Sequence, residues 1–360
     1  EASKLYRTGP VTVEQVAQER IVIRPMTFGS KAATYPSNAE LIAYFKRTLP
    51  HSNISISIGK PFVSKDVTRN NAVKTDGFFL NPSKYYYTFD QMVQILTQVD
   101  TECFESEPFT DYPSAVKCIL FYPDNMYFYD APRTGQIGGI ANPQSLMTSS
   151  TPLIEFPRTN PYESGWLQGP AITLIHEFMH VMNVGHGNAC GPDGIDPRLY
   201  PDGKIGPNGA GYDSGRDFYF ANGGSADFYD FMAYCSSQRW TSDVAYRGIM
   251  DYKAGKPTPP AIYKAAARRM TSGSEGTSSV EGKPMLRAAF FGGEWHVAKI
   301  VGDSRLMPIL TSDASVVSAI LSGIPIYGYP THEGLLANGV IYLPETPAVR
   351  AVFSLLRLAT

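Results

Sequence analysis

The chain has 360 residues with 31 Lys and Arg against 33 Asp and Glu, a net charge of −2 that excludes a basic nucleic-acid binder. Apolar residues make up 43% and charged residues 18%, enough apolar material for a sizeable core and too much for intrinsic disorder. The charge is lower than the roughly 25% of an average soluble protein, and with 32 Gly and 28 Pro it implies a loop-rich fold with a polar, weakly charged surface. The length suits one large domain and a smaller one.

No apolar run is long enough to span a membrane. The chain begins with Glu1 rather than Met, and its first residues carry no apolar signal core, so it reads as a processed form. An even count of four Cys and low charge point to an exported protein.

In chain order, residues 19–28 read as a strand. Residues 38–50 have apolar side chains at helical spacing and stop at Pro50, and 53–63 alternate as a second strand. A helix is predicted over 89–104 and an apolar strand over 115–123; GQIGGIA, 135–141, reads as an edge strand or a glycine-rich loop. This alternation predicts an α/β arrangement for the first half. Residues 169–184, GPAITLIHEFMHVMNV, are apolar nearly all round, which places the helix in the interior. A Gly-, Asp- and Asn-rich stretch, 187–230, has little periodicity, and 241–254 reads as a closing helix. The Pro-rich 256–260 predicts a domain boundary. Beyond the polar 272–279, alternating runs at 285–291, 295–301, 339–344 and 351–356 predict a small, mostly β domain. The expected domains are 1–255 and 256–360.

Half of the six His fall within eleven residues, at His176, His180 and His186. Residues four apart share a helix face, so His176 and His180 can offer two imidazoles to one metal ion. Glu177 projects about 100° away and suits a general base acting on water. His186 can join only if the chain leaves the helix, and Asn183 and Gly185 tolerate such a turn. Three neutral imidazoles leave the fourth position of a zinc ion open, as catalytic sites do. A buried helix with satisfied histidines is the plainer reading, but it would bury two His and a Glu at a high cost in desolvation.

The segment HEFMHVMNVGH resembles the long zinc motif HExxHxxGxxH of the metzincin metalloendopeptidases, with Asn183 in place of the motif's Gly. The resemblance implies an α/β (α+β) catalytic domain with a twisted mixed sheet behind the active-site helix. YDFMAYC, 229–235, is similar to the family's Met-turn and gives that role to Met232, an ordinary core methionine otherwise. In the astacin-like and pappalysin-like branches a Tyr two residues after that Met lies near zinc, which offers Tyr234 as a second catalytic residue; packing is the other reading. The phrase at 231–248 resembles secreted microbial metzincin-like proteases. The family's edge strand binds an extended peptide, which assigns Gly138, Gly139 and Ile140 to substrate.

Cys190 follows His186 by four residues and Cys235 follows Met232 by three. If both flank one zinc, a Cys190–Cys235 bridge ties the long loop to the Met-turn and leaves Cys103–Cys118 as the second. Four Cys allow three connectivities, and a Cys₂His₂ zinc site is the alternative, without the C-x₂-C spacing that favours it. Asp193, Asp196, Asp202 and Asp213 read as solvated turns, or as a Ca²⁺ site without EF-hand order. His51, His296 and His332 show no pattern and read as surface or packing residues. The expectation is a secreted, monomeric zinc endopeptidase acting on protein or glycoprotein. A zinc-containing binding protein that recognises protein or glycan through its C-terminal domain is the alternative.

Overall fold

The computed structural model describes residues 18–51, 53–69, 85–106, 116–129, 139–141, 148–152, 169–182, 184–187, 189–190, 196, 198–205, 211–213, 218–220, 228–235, 239–254, 280, 282–291, 294–302, 307–308, 326–328 and 340–351. Gly138, Asn183, Asp193, His332 and the proposed boundary at 256–260 lie outside them.

The described fold is mixed α/β. A five-stranded sheet runs in the order Ile54–Ile58, Glu19–Pro25, Lys117–Tyr122, Thr148–Pro152, Ile140–Ala141. The first four strands are parallel, and the edge strand Ile140–Ala141 runs antiparallel to Thr148–Pro152. Helices α1 (Asn38–Thr48), α3 (Gly169–Val181) and α4 (Asp243–Lys253) join the cluster that covers one face, and α2 (Phe89–Ser106) covers the other. Alternation along the strands explains the two layers. Ile21, Ile23, Ile119 and Phe121 enter the first cluster, while Leu120 and Tyr122 enter the second.

Local chemistry sets the boundaries. Ser37 and Glu40 form a capping box at the start of α1, and the Ser242 hydroxyl accepts from the Ala245 amide at the start of α4. The predicted strand 19–28 breaks after Pro25; Thr27–Phe28 turns instead into a hairpin with Lys31–Ala32 around Gly29, whose φ is +64°. The predicted strand 53–63 is shortened to Ile54–Ile58, ahead of Gly59 and Pro61. The strand Thr148–Pro152 and a parallel pair of Tyr85–Thr88 with Met126–Tyr129 are among the features without a sequence forecast. Within 187–230, Gly211–Asp213 and Phe218–Phe220 form an antiparallel pair.

The C-terminal residues form an antiparallel sheet in the order Glu294–Val301, Pro284–Phe291, Val340–Pro344, Tyr327–Gly328, Met307–Pro308. Of the expected strand at 351–356 only Ala351 is described, and it closes a helical stretch over 347–351. Thr346 caps that stretch through its hydroxyl to the Val349 amide, and Pro347 occupies the first helical position. The sheet meets α2 through Arg287, which donates to Asp100 at 2.7 Å and to Thr101 at 3.0 Å; Arg287 and Asp100 are both buried.

Candidate metal centre

Helix α3 carries His176, Glu177 and His180 and is buried along its described side chains apart from the half-buried Thr173. It ends at Val181, as the third histidine requires, and the Val184 amide returns to the Met179 carbonyl at 3.1 Å. The chain then brings His186 back to the other two. The three Nε2 atoms stand 3.1 Å (His176–His180), 2.9 Å (His180–His186) and 3.2 Å (His176–His186) apart. In a tetrahedral zinc site with bonds of about 2.0–2.1 Å, ligand nitrogens are roughly 3.3 Å apart, so this triad fits a metal ion. Among the described residues it is the one group of His, Cys, Asp or Glu side chains so arranged.

The opposite ring nitrogens fix the tautomers. His176 Nδ1 lies 2.8 Å from the Phe231 carbonyl, and His180 Nδ1 lies 2.8 Å from the Val184 carbonyl. A carbonyl only accepts, so each Nδ1 carries the proton and each Nε2 presents a lone pair to the centre. Phe231 is the first residue of the turn that carries Met232, whose side chain is fully buried. That turn is held from three sides. The Phe231 amide donates to the Trp240 carbonyl at 2.9 Å, the Gly187 amide donates to the Met232 carbonyl at 2.8 Å, and the Asp230 carboxylate accepts from the amides of Met232 and Ser242, each at 2.8 Å.

Glu177 is buried, and burial pushes its carboxyl up to about 8, where it can hold or release a proton near neutral pH. Tyr234 places its hydroxyl 3.3 Å from His176 Nε2 and 3.2 Å from His186 Nε2. Burial and then the charge of Glu177 hold this phenol well above its ordinary range, so it is a hydrogen-bond donor. Tyr234 and the three histidines are thus close together, and Met232 lies in the turn whose Phe231 carbonyl orients His176. Gly139 stands just before the edge strand and Ile140 begins it; α3 packs against both that strand and its neighbour.

Cys190 and Cys235 lie at disulfide distance, with Cα atoms 4.8 Å apart, and so do Cys103 and Cys118, at 6.5 Å. The first pair joins the segment after His186 to the residue after Tyr234.

Two aspartates overturn the solvated-turn reading. Asp196 is buried, pairs with Arg198, accepts from the Gly185 amide at 3.1 Å, and donates its own amide to the His186 carbonyl at 2.8 Å. It clamps the turn that returns His186 to the centre. Asp213 is buried and pairs with Arg47 of α1 through both carboxylate oxygens. Of the three described aspartates only Asp202 is exposed; it caps a turn, accepting from the Lys204 amide. Of the surface and packing readings for His51, the structure shows packing. His51 is buried with Glu19, Lys117 and Lys253 behind α3, with its ring edge-on to Phe178. His296 is a half-buried residue of the C-terminal sheet.

No protein-family model matches this chain, and no curated protein matches it.

Proposed function

We propose that the chain is a zinc-dependent endopeptidase of the metzincin type that acts outside the cell on protein or glycoprotein. The observation that carries the reading is the convergence of three buried imidazole Nε2 atoms, two of them oriented by backbone carbonyls, with one tyrosine hydroxyl beside them and the buried carboxyl of Glu177 next to His176 in the same helix. A structural zinc site closes all four positions with protein ligands; among the described residues this cluster offers three.

His176, His180 and His186 would hold the ion. Zinc bound there supplies Lewis acidity toward water and toward a carbonyl oxygen. Glu177, one residue from His176 on the same helix, takes the proton of the attacking water and passes it to the leaving amine. Tyr234 donates a hydrogen bond to the oxygen that gains negative charge as the carbonyl is attacked. A substrate in extended form pairs with the edge strand at Gly139 and Ile140, which closes the sheet beside α3. The two cysteine pairs and the lack of a membrane-crossing helix among the described residues are compatible with an extracellular protein.

The test is metal analysis of the purified protein with digestion of a peptide library, with and without a chelator. The expected result is about one zinc per chain and cleavage that the chelator abolishes. Glu177→Gln should keep the zinc and lose activity by about 10²- to 10⁴-fold. A protein without metal, or a Glu177→Gln form that cleaves as well as the wild type, overturns the reading. Zinc retained without any cleavage would turn it to the binding protein.

A further inference from the structure

Tyr234 is the exposed member of an otherwise buried centre, with 43% of its surface open to solvent. Residues 233–235 belong to no helix or strand. The bridge at Cys235 tethers the main chain beside it, but a main-chain tether does not choose among the staggered positions of the neighbouring ring. Something else must keep the phenol at the histidines. On one side the ring meets His176 and His186, with centroids 5.4 Å away in both cases. Over its face lies the guanidinium of Arg239, with Cζ 5.6 Å from the ring centroid.

The position of Arg239 is itself fixed. Arg239–Trp240 pairs in parallel with Tyr229–Asp230, and the Phe231 amide donates to the Trp240 carbonyl at 2.9 Å. Successive side chains of a strand point to opposite sides, so the buried Trp240 enters the core and Arg239 points the other way, over Tyr234. Arg239 is half-buried, which strengthens the attraction between a cation and a ring face.

We propose that Arg239 is a positioning residue for Tyr234: its guanidinium lies over the phenol ring and holds the hydroxyl at the imidazoles of His176 and His186. The inference rests on the zinc-endopeptidase reading for its kinetic test, and the spectroscopic test below is independent of that reading. It assigns Arg239 no contact with substrate.

The experiment compares Arg239→Gln and Arg239→Lys in the wild-type and Tyr234→Phe backgrounds. Arg239→Gln should lower kcat by about three- to tenfold with KM little changed, and Arg239→Lys should restore part of the loss. In the Tyr234→Phe background, Arg239→Gln should have no further effect, because the ring then carries no hydroxyl to position. Equal losses in both backgrounds, a loss confined to KM, or no loss at all would overturn the proposal. The second measurement is the absorption of the protein loaded with copper(II), which three imidazoles also bind. A bound copper(II) ion acidifies a phenol within its reach, whereas the phenol stays protonated in the metal-free centre, so the copper-loaded wild type should show a phenolate-to-copper band, absent in Tyr234→Phe and weakened in Arg239→Gln. If the wild type cleaves no peptide, this band decides alone: weakening on Arg239→Gln sustains the positioning role although the endopeptidase reading has failed. A band missing from the wild type, or unchanged by Arg239→Gln, overturns the role.

Discussion

The carboxylate of Asp230 is joined to the amide of Met232 at 2.8 Å, and through this bond a buried acid two residues upstream shapes the turn that supports His176. The second carboxylate oxygen takes the Ser242 amide, so one side chain ties the turn to the start of α4. Burial raises the Asp230 carboxyl, while the hydrogen bonds to Ser242 and Met232 act against that rise.

Replacing Asp230 by Ala leaves two buried amides without an acceptor. The expected loss is about 2–4 kcal/mol in urea unfolding, with a smaller loss for Asp230→Asn, which keeps one acceptor oxygen. Equal stability of wild type and Asp230→Ala would show that the turn is held without it.

Asp196 acts on the third histidine. Asp196→Ala should leave α3 folded, since among the described residues its carboxylate hydrogen bonds go to Gly185 and Arg198 and none to the helix, yet weaken metal binding by about 10- to 100-fold in competition with a chelator. Unchanged metal affinity would mean that His186 reaches the centre unaided.

The cluster behind α3 predicts a pH dependence of stability. Burial, ahead of the charges around it, pushes the His51 imidazole down to about 4 from an ordinary 6.5. Glu19 favours its protonation; Lys253 and Lys117 oppose it. Lys253 lies 3.1 Å from His51 Nδ1, which serves as the acceptor, so the ring is neutral in the folded chain. Between pH 6.5 and 4 the unfolded chain therefore binds the proton that the folded chain refuses. This stability is complete above 6.5 and is lost as pH falls toward 4. Glu19 acts in the same direction: burial favours its neutral form, but Lys117, His51 and Lys253 outweigh burial and hold its carboxyl below the usual range. From pH 7 to pH 4.5, His51 alone should remove about 2 kcal/mol. His51→Phe should flatten that part of the profile whatever its stability at pH 7, and an unaltered slope would rule His51 out as its source.

The two cysteine pairs should differ in reactivity. Cys103 and Cys118 are buried, whereas Cys190 is exposed and Cys235 is half-buried. Mild reductant should open Cys190–Cys235 first, because thiolate attack needs access to sulfur. Mass spectrometry after alkylation should find label at 190 and 235 before 103 and 118; the reverse order would contradict the burial.

Much of this was legible in the sequence where chemistry is local. The helix and its two histidines follow from a spacing of four, and the return of His186 follows from the impossibility of reaching the same ion along a continuing helix. Strands such as Lys117–Tyr122 announce themselves as apolar runs. Thr148–Pro152, with sequence TSSTP, does not, because its place inside the sheet comes from its neighbours on either side and from the helices over it. The partners of Glu19 and His51 were equally hidden: Lys117 is 98 residues from Glu19, and Lys253 is 202 residues from His51. Asp196 and Asp213 misled for the same reason. An acidic, glycine-rich stretch reads as solvent-facing until Arg198 and Arg47 are seen beside it.

The pair between Arg287 and Asp100 bears on how the chain comes apart. Both partners are buried, so parting the C-terminal sheet from α2 must either hydrate two charges or leave one of them in an apolar setting. The carboxyl of Asp100 belongs to the helix whose Cys103, one turn on, is joined to the central strand at Cys118. A force pulling on the last hundred residues would thus be felt in the middle of the first sheet, and the two sheets share one mechanical path.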